Sequence, residues 1–462
     1  MNDHDFDVAI IGGGSGGYAA ARTAAGAGLR TAVIEGGKEV GGLCILRGCM
    51  PTKALLYAAD VIHLARRAST WGIRAPHVEF DFAGVMERKN AMVREFADDR
   101  ARQLTGGKFK FIRGTAQFLD PHTLALSTGE TITAGHFILS TGSVVSEPPL
   151  PQLSQVGFIT SDDALTLRAH PKSLIVLGGG AVAVEFAQFF GRFDTEVTLI
   201  QRSEHILRDF DPDAATELEK VFRREGMTVF TRTRLLDARR EGNTKEITFE
   251  HEGRPRRVAA EELLFALGRS PNTAPLRLER AGVSSERGRI ITNARMQTSA
   301  PHIYAAGDCT GPHDIAHIAV QQGEIAAQNI AHPGRPRSID YRLLTRVIFT
   351  DPQIGVVGLT EQEANARDIS FLKASYPFSD HGKSLIMDAR DGFVKLLANP
   401  TSGEILGGSC VGPLGGELIH EIVAAMAKRM TARELAIMPH YHPTLAEIWT
   451  YPAEELAEQI PV

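Results

Sequence analysis

The feature that most constrains this chain is a glycine-rich turn that occurs twice, each time between a short apolar run and a stretch of small residues. The first copy is FDVAIIGGGSGGYAAARTAAGAGLRTAVIEG from Phe6, and the second is KSLIVLGGGAVAVEFAQFFGRFDTEVTLIQR from Lys172. In each copy a second apolar run ends 23 residues after the first glycine, at Glu35 and at Gln201. The repeat predicts two βαβ units, and hence an α/β chain with two doubly wound nucleotide-binding domains.

Three positions of each turn have separate physical tasks. The first allows the tight strand-to-helix turn, and the second lets a pyrophosphate approach the backbone at the helix N-terminus. The third keeps the helix close to the strand. These tasks fall to Gly12, Gly14 and Gly17 in the first copy, and to Gly178, Gly180 and Ala183 in the second. Both turns follow an apolar strand and open a helix, which is the context that dinucleotide binding requires.

The two copies differ where their second strand ends. Glu35 is a carboxylate that can accept hydrogen bonds from the ribose hydroxyls of an adenosine. Gln201 is neutral, and Arg202 and Arg208 follow it. Guanidinium groups bind a 2′-phosphate in bidentate fashion, so the second site is expected to prefer NADPH to NADH. The alternative is that both arginines are solvated surface charges.

Bulk composition excludes several classes of protein. A chain of 462 residues is too long for one core, and its net charge of −5 does not favour nucleic acid or an anionic membrane as partner. No run reaches the roughly 18 apolar residues of a spanning helix, and MNDHDFDVAII is acidic where a secretory signal is basic. With only 4 cysteines, a disulfide framework is excluded and a reducing cytoplasm is expected.

Two of those cysteines lie close together in GGLCILRGCMPTK, residues 41–53. In a regular helix, Cα atoms five residues apart are about 8.6 Å from each other, whereas a disulfide needs about 4.4–6.8 Å. A bridge between Cys44 and Cys49 therefore requires the helix to tighten or unwind locally, and Gly48, beside Cys49, is a plausible place for this distortion. A disulfide in a distorted turn is easily reduced, which suits catalysis. Half of a zinc site and two inert buried thiols are the alternatives, although Cys309 and Cys410 form no second pair.

The whole chain resembles the flavoprotein disulfide reductases, the family of dihydrolipoamide dehydrogenase, glutathione reductase and mercuric reductase. GGLCILRGCMPTK is similar to the family's redox-active segment. FILSTGS (137–143) resembles the family's crossover between nucleotide domains, and ALGRSPNT (266–273) resembles the return from its NAD(P) domain. IYAAGDCTG (303–311) resembles its second flavin motif, and ILGGSCVGPLGGELIHEI (405–422) resembles its interface signature. HYHPTLAE (440–447) resembles its C-terminal catalytic segment.

The resemblance implies roles for individual positions. Cys49 would be the thiol nearest the flavin, which forms the charge-transfer thiolate, and Cys44 the interchange thiol that attacks substrate. Lys53 would lie near flavin N5 and pair with Glu185, since either charge alone would be costly to bury. Glu35 would hold the adenosine ribose of FAD. Further positions matched to cofactor binding are Asp308 (ribitol chain), Ser15, Gly42, Ala116, Thr141, Gly142, Gly268, Arg269, Ala316 and His317.

HYHPTLAE also supplies a candidate base. Thiol exchange proceeds through a thiolate, and imidazole ordinarily titrates near neutrality. Glu447, five residues after His442, could fix the histidine's tautomer and stabilise its protonated form. His440 is assigned a supporting part. In the family this histidine comes from the other subunit, so the resemblance implies a homodimer whose final 120 residues form the interface.

The cysteine loop departs from the family pattern at Leu43, at residues 45–47 and at Thr52, and these departures leave the identity of the substrate open. Arg47 could stabilise a thiolate or attract an anionic substrate.

We expect a FAD-binding domain (1–147), an NAD(P)-binding domain (148–270), a central region completing the FAD site (271–340) and an α+β dimerisation domain (341–462). The predicted function is a FAD-dependent, NADPH-preferring oxidoreductase of the dihydrolipoyl dehydrogenase type that acts on a small disulfide or dithiol. A metal-ion or quinone reductase, or a redox sensor without turnover, is the alternative; no metal site is expected.

Overall fold

The computed structural model describes residues 4–311 and 313–460. In the first 340 residues, strand–helix–strand units are interspersed with antiparallel hairpins, and the strands after residue 340 form one antiparallel sheet. In chain order the strands are β1 (Phe6–Ile11), β2 (Thr31–Glu35), β3 (Lys110–Arg113), β4 (Ala116–Asp120), β5 (Thr123–Leu126), β6 (Thr131–Leu139), β7 (Ser143–Val145), β8 (Ser173–Leu177), β9 (Glu196–Ile200), β10 (Thr228–Phe230), β11 (Arg234–Glu241), β12 (Thr244–His251), β13 (Arg254–Ala260), β14 (Glu262–Phe265), β15 (Arg269–Pro271), β16 (Ser285–Glu286), β17 (Arg289–Ile290), β18 (Ile303–Ala305), β19 (Thr345–Ile348), β20 (Gln353–Gly358), β21 (Leu372–Pro377), β22 (Phe393–Ala398) and β23 (Ile405–Gly412).

The helices vary from single turns to long amphipathic segments. In chain order they are α1 (Ser15–Gly26), α2 (Gly42–Leu46), α3 (Cys49–Arg66), α4 (Phe82–Thr105), α5 (Pro151–Val156), α6 (Ser161–Ala164), α7 (Ala181–Arg192), α8 (Pro212–Arg224), α9 (Ala316–Ala331), α10 (Glu361–Ala366), α11 (Gly382–Met387), α12 (Gly415–Ala427), α13 (Ala432–Ile437) and α14 (Thr450–Gln459). Short 3-10 helices lie at Ala68–Trp71, Ala274–Leu276, Leu278–Ala281, Tyr341–Leu343, Phe378–Asp380 and Ala446–Trp449.

The chain forms two compact units. The first consists of Met1–Thr52, Glu87–Glu147 and Gly268–Ile339, and the second of Lys53–Met86, Pro148–Leu267 and Asp340–Val462. Because each unit combines distant segments, the four-part division drawn from the sequence stays a prediction.

In the first unit a parallel sheet runs in the order β3-β2-β1-β6. The long strand β6 pairs antiparallel with β5 along its first half and parallel with β18 along its second half. Helix α1 packs on α9 so closely that a Cβ on Gly323 would lie 2.2 Å from the carbonyl oxygen of Gly16. The apolar strand residues, among them Ile34, Phe137 and Ile303, form a core that is closed to solvent.

The second unit contains a second parallel sheet, in the order β10-β9-β8-β14. Helix α7 covers it with a row of phenylalanines, including Phe186, Phe189 and Phe190, which are buried. Next to this sheet in the chain lies the antiparallel meander β11-β12-β13. Two parallel sheets, each built around one of the repeated turns, confirm the predicted doubly wound α/β architecture.

The last part of the second unit is an antiparallel sheet, β19-β20-β23-β22-β21, packed against α12 and α14. Trp449 is the largest side chain buried in its core, and its indole N–H donates to the Leu418 carbonyl oxygen at 3.2 Å. Trp449 ends the 3-10 helix Ala446–Trp449, which overlaps the last two residues of the catalytic segment predicted at 440–447. The end of that segment is therefore held by the core of the α+β domain.

Candidate active site

The first glycine-rich turn has the backbone that its sequence requires. Gly12 adopts φ = +105°, and a Cβ there would lie 2.2 Å from the carbonyl oxygen of Ser140. A Cβ on Gly17 would lie 1.8 Å from the carbonyl oxygen of Gly12. Both positions therefore exclude any other residue, and the predicted tasks of tight turn and close helix packing are confirmed.

The residues around this turn fit a bound flavin nucleotide. Helix α1 begins at Ser15, and a Cβ on Gly14 would have only the Gly42 backbone near it, at 3.7 Å, so a phosphate could reach the helix N-terminus. Thr141 Oγ1 is buried and has no hydrogen-bond partner among the described residues. A buried hydroxyl without a partner is costly, and a bound ligand would satisfy it.

Glu35 is held in place by the backbone of its own turn. Its Oε2 accepts from the Gly13 N–H at 2.8 Å, and its Oε1 accepts from the Gly37 N–H at 2.6 Å. Each oxygen keeps lone-pair capacity for a further donor. The carboxylate is thus fixed at the end of β2, where a nucleotide ribose is expected in this fold.

A chain of polar contacts links other predicted cofactor residues. Asp308 Oδ2 accepts from Ser143 Oγ at 2.7 Å, and Ser143 Oγ accepts from Arg269 Nε at 2.8 Å. Gly142 and Gly268 lie in the same region with φ of +69° and +121°. The remaining positions also belong to the first unit: Ala116 is buried at the start of β4, and Ala316 and His317 begin α9.

The second glycine-rich turn repeats this geometry. Gly178 adopts φ = +118°, and a Cβ on it would lie 2.3 Å from the carbonyl oxygen of Ala266, whereas a Cβ on Gly180 would meet nothing within 4 Å. Ala183 is fully buried in α7. Gln201 is buried beside Gly179, and its Oε1 accepts from the Arg202 N–H at 3.0 Å. The turn therefore leaves open space at the N-terminus of α7, as a dinucleotide requires.

Three arginines surround the end of β9. Arg202 and Arg208 are exposed, and Arg208 Nε lies 3.4 Å from an Asp209 carboxylate oxygen. Sequence reasoning missed Arg232, whose N–H donates to the Ser203 carbonyl oxygen at 2.8 Å and whose guanidinium pairs with Glu204. Its position after a parallel strand could have indicated it, because the carboxyl ends of such strands share one edge.

The cysteine segment is a helix broken at the predicted place. Helix α2, which contains Cys44, ends at Leu46, and α3 begins at Cys49, so Arg47 and Gly48 separate the two helices. A Cβ on Gly48 would lie 3.0 Å from the Leu43 carbonyl oxygen and 3.3 Å from the Cys44 Cα. The predicted interruption is confirmed, and it replaces the regular-helix spacing that would keep the sulfur atoms apart.

The two thiols interact across this break. A hydrogen bond to Cys49 and burial raise the pKa of the Cys44 thiol, against a weaker opposing contact with Ser15. Cys44, Cys49, Cys309 and Cys410 are all free thiols. Burial raises the pKa of Cys309 to about 11 and that of Cys410 still further, so neither is suited to nucleophilic chemistry.

Arg47, which lies between the two thiols in the chain, forms an ion pair with Glu39. The distance from its Nη2 to Glu39 Oε2 is 2.7 Å, and both side chains are about half exposed. Part of its charge is therefore already balanced. Its expected effect on a thiolate or an anionic substrate stays a prediction.

Lys53 and Glu185 form the expected ion pair. Lys53 Nζ lies 2.8 and 3.1 Å from the two Glu185 oxygens, and the Glu185 side chain is only 3% exposed. Sequence reasoning missed Phe349, whose N–H donates to Glu185 Oε1 at 3.0 Å and whose ring lies 4.7 Å from Lys53 Nζ. The ammonium group is thus fixed by a carboxylate and an aromatic face together.

His442 and Glu447 form a close dyad. His442 Nδ1 lies 3.0 and 3.1 Å from the two Glu447 oxygens. The carboxylate therefore favours the tautomer that carries its proton on Nδ1, and Nε2 on the other side of the ring is left without that proton. The His442 side chain is 78% exposed, whereas that of Glu447 is 10% exposed.

Two other histidines of this domain, His440 and His381, also lie near carboxylates. His440 Nε2 contacts a different carboxylate, that of Glu421, at 2.6 Å, so His440 is not part of the dyad. A second imidazole near Glu447, that of His381, was also missed.

Two family models match most of the chain. A model of the pyridine nucleotide-disulphide oxidoreductase family matches residues 6–323, and the dimerisation domain of the same family matches 344–453. The chain belongs to this family, and it is an enzyme of the pyridine nucleotide-disulphide oxidoreductase class with FAD as the family's cofactor.

Two named relatives match nearly the whole chain. Dihydrolipoyl dehydrogenase of Thermus scotoductus is 36% identical over 98% of this chain and 98% of its own. Mercuric reductase of Streptomyces lividans is 35% identical over 98% of this chain and 97% of its own. A Cu(II) complex of the HOCl-induced flavoprotein disulfide reductase RclA from Escherichia coli has a TM-score of 0.87 at 27% identity, covering 98% of this chain and all of that one.

Within residues 4–311 and 313–460, no helix is long and apolar enough to cross a bilayer. In the same part of the chain, no group of three or more His, Cys, Asp or Glu side chains is arranged to hold a metal ion.

Proposed function

We propose that this enzyme uses NADPH to reduce a small disulfide, with Cys44 and Cys49 as its redox pair. The observation that supports this most is the hydrogen bond between the two thiols across the break at Arg47 and Gly48. A dithiol held in this way can close into a disulfide and be reopened in each turnover. Two inert thiols would need neither the break nor the contact.

The two thiols have different tasks. Because the contact with Cys49 and burial raise the pKa of Cys44, a thiolate is better stabilised on Cys49, the residue that the family resemblance assigns to the flavin side. Cys44 keeps its proton and needs a base before it can attack. When bound, FAD supplies the step that accepts hydride from the nicotinamide and returns two electrons to the sulfur pair.

His442 of the partner subunit is the base in this proposal. It takes the proton of Cys44, whose thiolate attacks one sulfur of the substrate and forms a mixed disulfide. The departing thiolate then takes the proton back from the imidazolium of that histidine, which Glu447 of the partner subunit stabilises. The Cys49 thiolate then attacks Cys44 Sγ and closes the Cys44–Cys49 disulfide. The second substrate thiolate leaves in this step and is protonated from water. Two electrons from NADPH reopen it, so each turnover reduces one substrate disulfide to two thiols.

NADPH is the proposed reductant because of the charge at the end of β9. Gln201 offers no negative charge there, and its oxygen is occupied by the Arg202 N–H. Arg202 and Arg208 present exposed guanidinium groups that could bind a 2′-phosphate. A carboxylate at position 201 would favour the free ribose hydroxyls of NADH.

The sharing of His442 between subunits has a clean test by complementation. Co-expression of the C44S and H442Q variants gives hybrid dimers in which one of two active sites regains both residues only if the base comes from the partner. Random pairing then yields about a quarter of the wild-type activity. If each subunit uses its own His442, every site in the mixture lacks one residue, and the absence of recovery would contradict the proposal.

Substrate class is tested by reoxidation of the reduced enzyme. The purified protein is reduced anaerobically with NADPH, and lipoamide, glutathione disulfide and other small disulfides are then added in turn. We expect at least one disulfide to reoxidise the enzyme at a rate that supports turnover, and C44S to lose this reaction. Failure of every disulfide, with the bound flavin still reducible, would overturn the proposal.

Reduction of a metal ion is the second candidate. It is favoured by the relatives, since one is a mercuric reductase and one structural neighbour is a Cu(II) complex. The C44S variant separates the two functions. A metal-ion or quinone reductase that takes electrons from the flavin would keep turnover without Cys44, whereas disulfide reduction would stop.

A further inference from the structure

A buried imidazole lies on the far side of the proposed base. His381, the residue before α11, is 0% exposed, and its Nε2 lies 3.4 Å from Glu447 Oε1. Its Nδ1 lies 2.8 Å from Ser384 Oγ, and Ser384 is also fully buried. Glu447 therefore stands between two histidines, one exposed and one enclosed.

The charge and tautomer of His381 follow from these surroundings. Burial lowers the pKa of His381, although Glu447 opposes that shift, so the ring is neutral at pH 7. The titratable groups that face it are Glu447, His442 and, edge-on at 6.4 Å, the ring of Tyr451. If the Ser384 hydroxyl donates to Nδ1, the single ring proton lies on Nε2, which has no other hydrogen-bond partner in the described part of the chain.

We propose that His381 is a positioning residue for proton transfer, which orients Glu447 so that both of its oxygens face His442 Nδ1. This inference rests on the proposed role of His442 as the proton carrier. A contact of 3.4 Å becomes a hydrogen bond after a small rotation of either side chain. Ser384 sets the tautomer, His381 anchors Glu447, and Glu447 holds His442.

A neutral donor suits this task better than a cation. A lysine or arginine at position 381 would anchor Glu447 equally well, but its charge would cancel the negative charge that stabilises the imidazolium of His442. An apolar residue would leave Glu447 free to rotate away from the exposed ring. Neutral imidazole fixes the direction of the carboxylate and preserves its charge.

Three variants test the proposal. H381L fills a similar volume without an N–H, H381Q keeps an amide N–H near the position of Nε2, and S384A removes the group that sets the tautomer. We expect H381L to lower kcat for disulfide reduction about tenfold with little change in KM, H381Q to recover to within about threefold of wild type, and S384A to lose about threefold. Reduction of the bound flavin by NADPH, which does not use the dyad, should be unchanged in all three.

The pH dependence distinguishes positioning from packing. A less firmly held Glu447 stabilises the imidazolium less, so the acidic limb of the kcat profile should move about half a pH unit lower in H381L. The pH midpoint of deuterium exchange at the His442 C2 atom should move the same way, and this readout needs no turnover. Equal losses in H381L and H381Q, or a lowered melting temperature with an unmoved exchange midpoint, would overturn the inference. Wild-type kcat in H442Q would instead refute the proposed function.

Discussion

Glu185 binds the ammonium group of Lys53 with both of its carboxylate oxygens, at 2.8 and 3.1 Å. The carboxylate is almost fully buried, and it also accepts the Phe349 N–H. Lys53 is about one-third exposed, so the pair can present a positive charge to a ligand while its counter-charge stays enclosed. Such an arrangement would favour negative charge developing on a reduced flavin ring.

Replacing Glu185 with glutamine should slow flavin reduction. The E185Q amide can still meet Lys53 and Phe349 but no longer neutralises the ammonium group, so the lysine becomes misplaced. We expect NADPH to reduce the bound flavin about tenfold more slowly, with a loss of about 1 kcal/mol in stability because Lys53 is partly solvated. Stopped-flow absorbance measures the rate, and E196Q, which changes an exposed residue of β9, is the control. An unchanged rate in E185Q would show that the pair is only structural.

The two arginines after β9 should decide the choice of nicotinamide cofactor. In the double variant R202A/R208A, the KM for NADPH should rise about a hundredfold, because two charge-assisted contacts to one phosphate are lost. The KM for NADH should hardly change. Steady-state kinetics with both cofactors provides the measurement, and R256A on the exposed face of β13 is the control. A wild-type enzyme that already prefers NADH would contradict the prediction outright.

The sequence predicted those parts of the site whose partners lie within one short segment. The glycines of each turn, the break between Cys44 and Cys49 and the dyad of His442 with Glu447 all depend on local spacing. Lys53 and Glu185 lie 132 positions apart, and the resemblance to a family, not the spacing, joined them.

What the sequence could not predict depends on packing between distant segments. Phe349 contributes a backbone N–H, and every residue except proline has one, so no residue pattern indicates that contact with Glu185. His381 is one of 16 histidines, and its position behind Glu447 follows only from how α11 packs.

A second buried charge cluster stabilises the second unit. Lys395 is 4% exposed and binds Asp211, Asp213 and Glu361 at 2.7–2.9 Å. Asp211 is equally buried and also accepts from the backbone N–H groups of Glu361 and Gln362, where α10 begins. The cluster therefore ties the nucleotide-binding segment to the last sheet.

Replacing Lys395 with methionine should leave the buried Asp211 without its cation. We expect a loss of about 3 kcal/mol in the free energy of unfolding, measured by urea denaturation. K373M is the matched control, since Lys373 pairs with the same Glu361 but is exposed, and it should lose less than about 0.5 kcal/mol. Similar losses in the two variants would contradict the account.

Four histidines lie together in the first unit. The rings of His4 and His122 stack at 5.1 Å, and those of His122 and His302 at 4.3 Å, with His136 on the neighbouring strand β6. Burial lowers the pKa values of His136 and His302, and nearby imidazoles add to this effect. Each of these two rings therefore takes up a proton more readily in the unfolded chain, so their stabilising contribution is complete above about pH 6.5 and is lost below it.

The melting temperature should accordingly fall as the pH drops from 7 to 5.5, and it should fall less steeply in H136Q than in wild type. H77Q, which changes an exposed histidine, should follow the wild-type curve. Differential scanning calorimetry across this range gives the comparison. A steeper fall in H136Q would reverse the sign of the argument and refute it.

The redox state of Cys44 and Cys49 during NADPH turnover tests the central claim most directly. The oxidised enzyme is treated with an alkylating agent before and after anaerobic addition of NADPH, and the peptide containing both cysteines is weighed by mass spectrometry. The account predicts an unreactive Cys44–Cys49 disulfide before reduction and two alkylated thiols afterwards. Two free thiols in the oxidised enzyme, or a pair that NADPH leaves unchanged while the flavin is reduced, would contradict it.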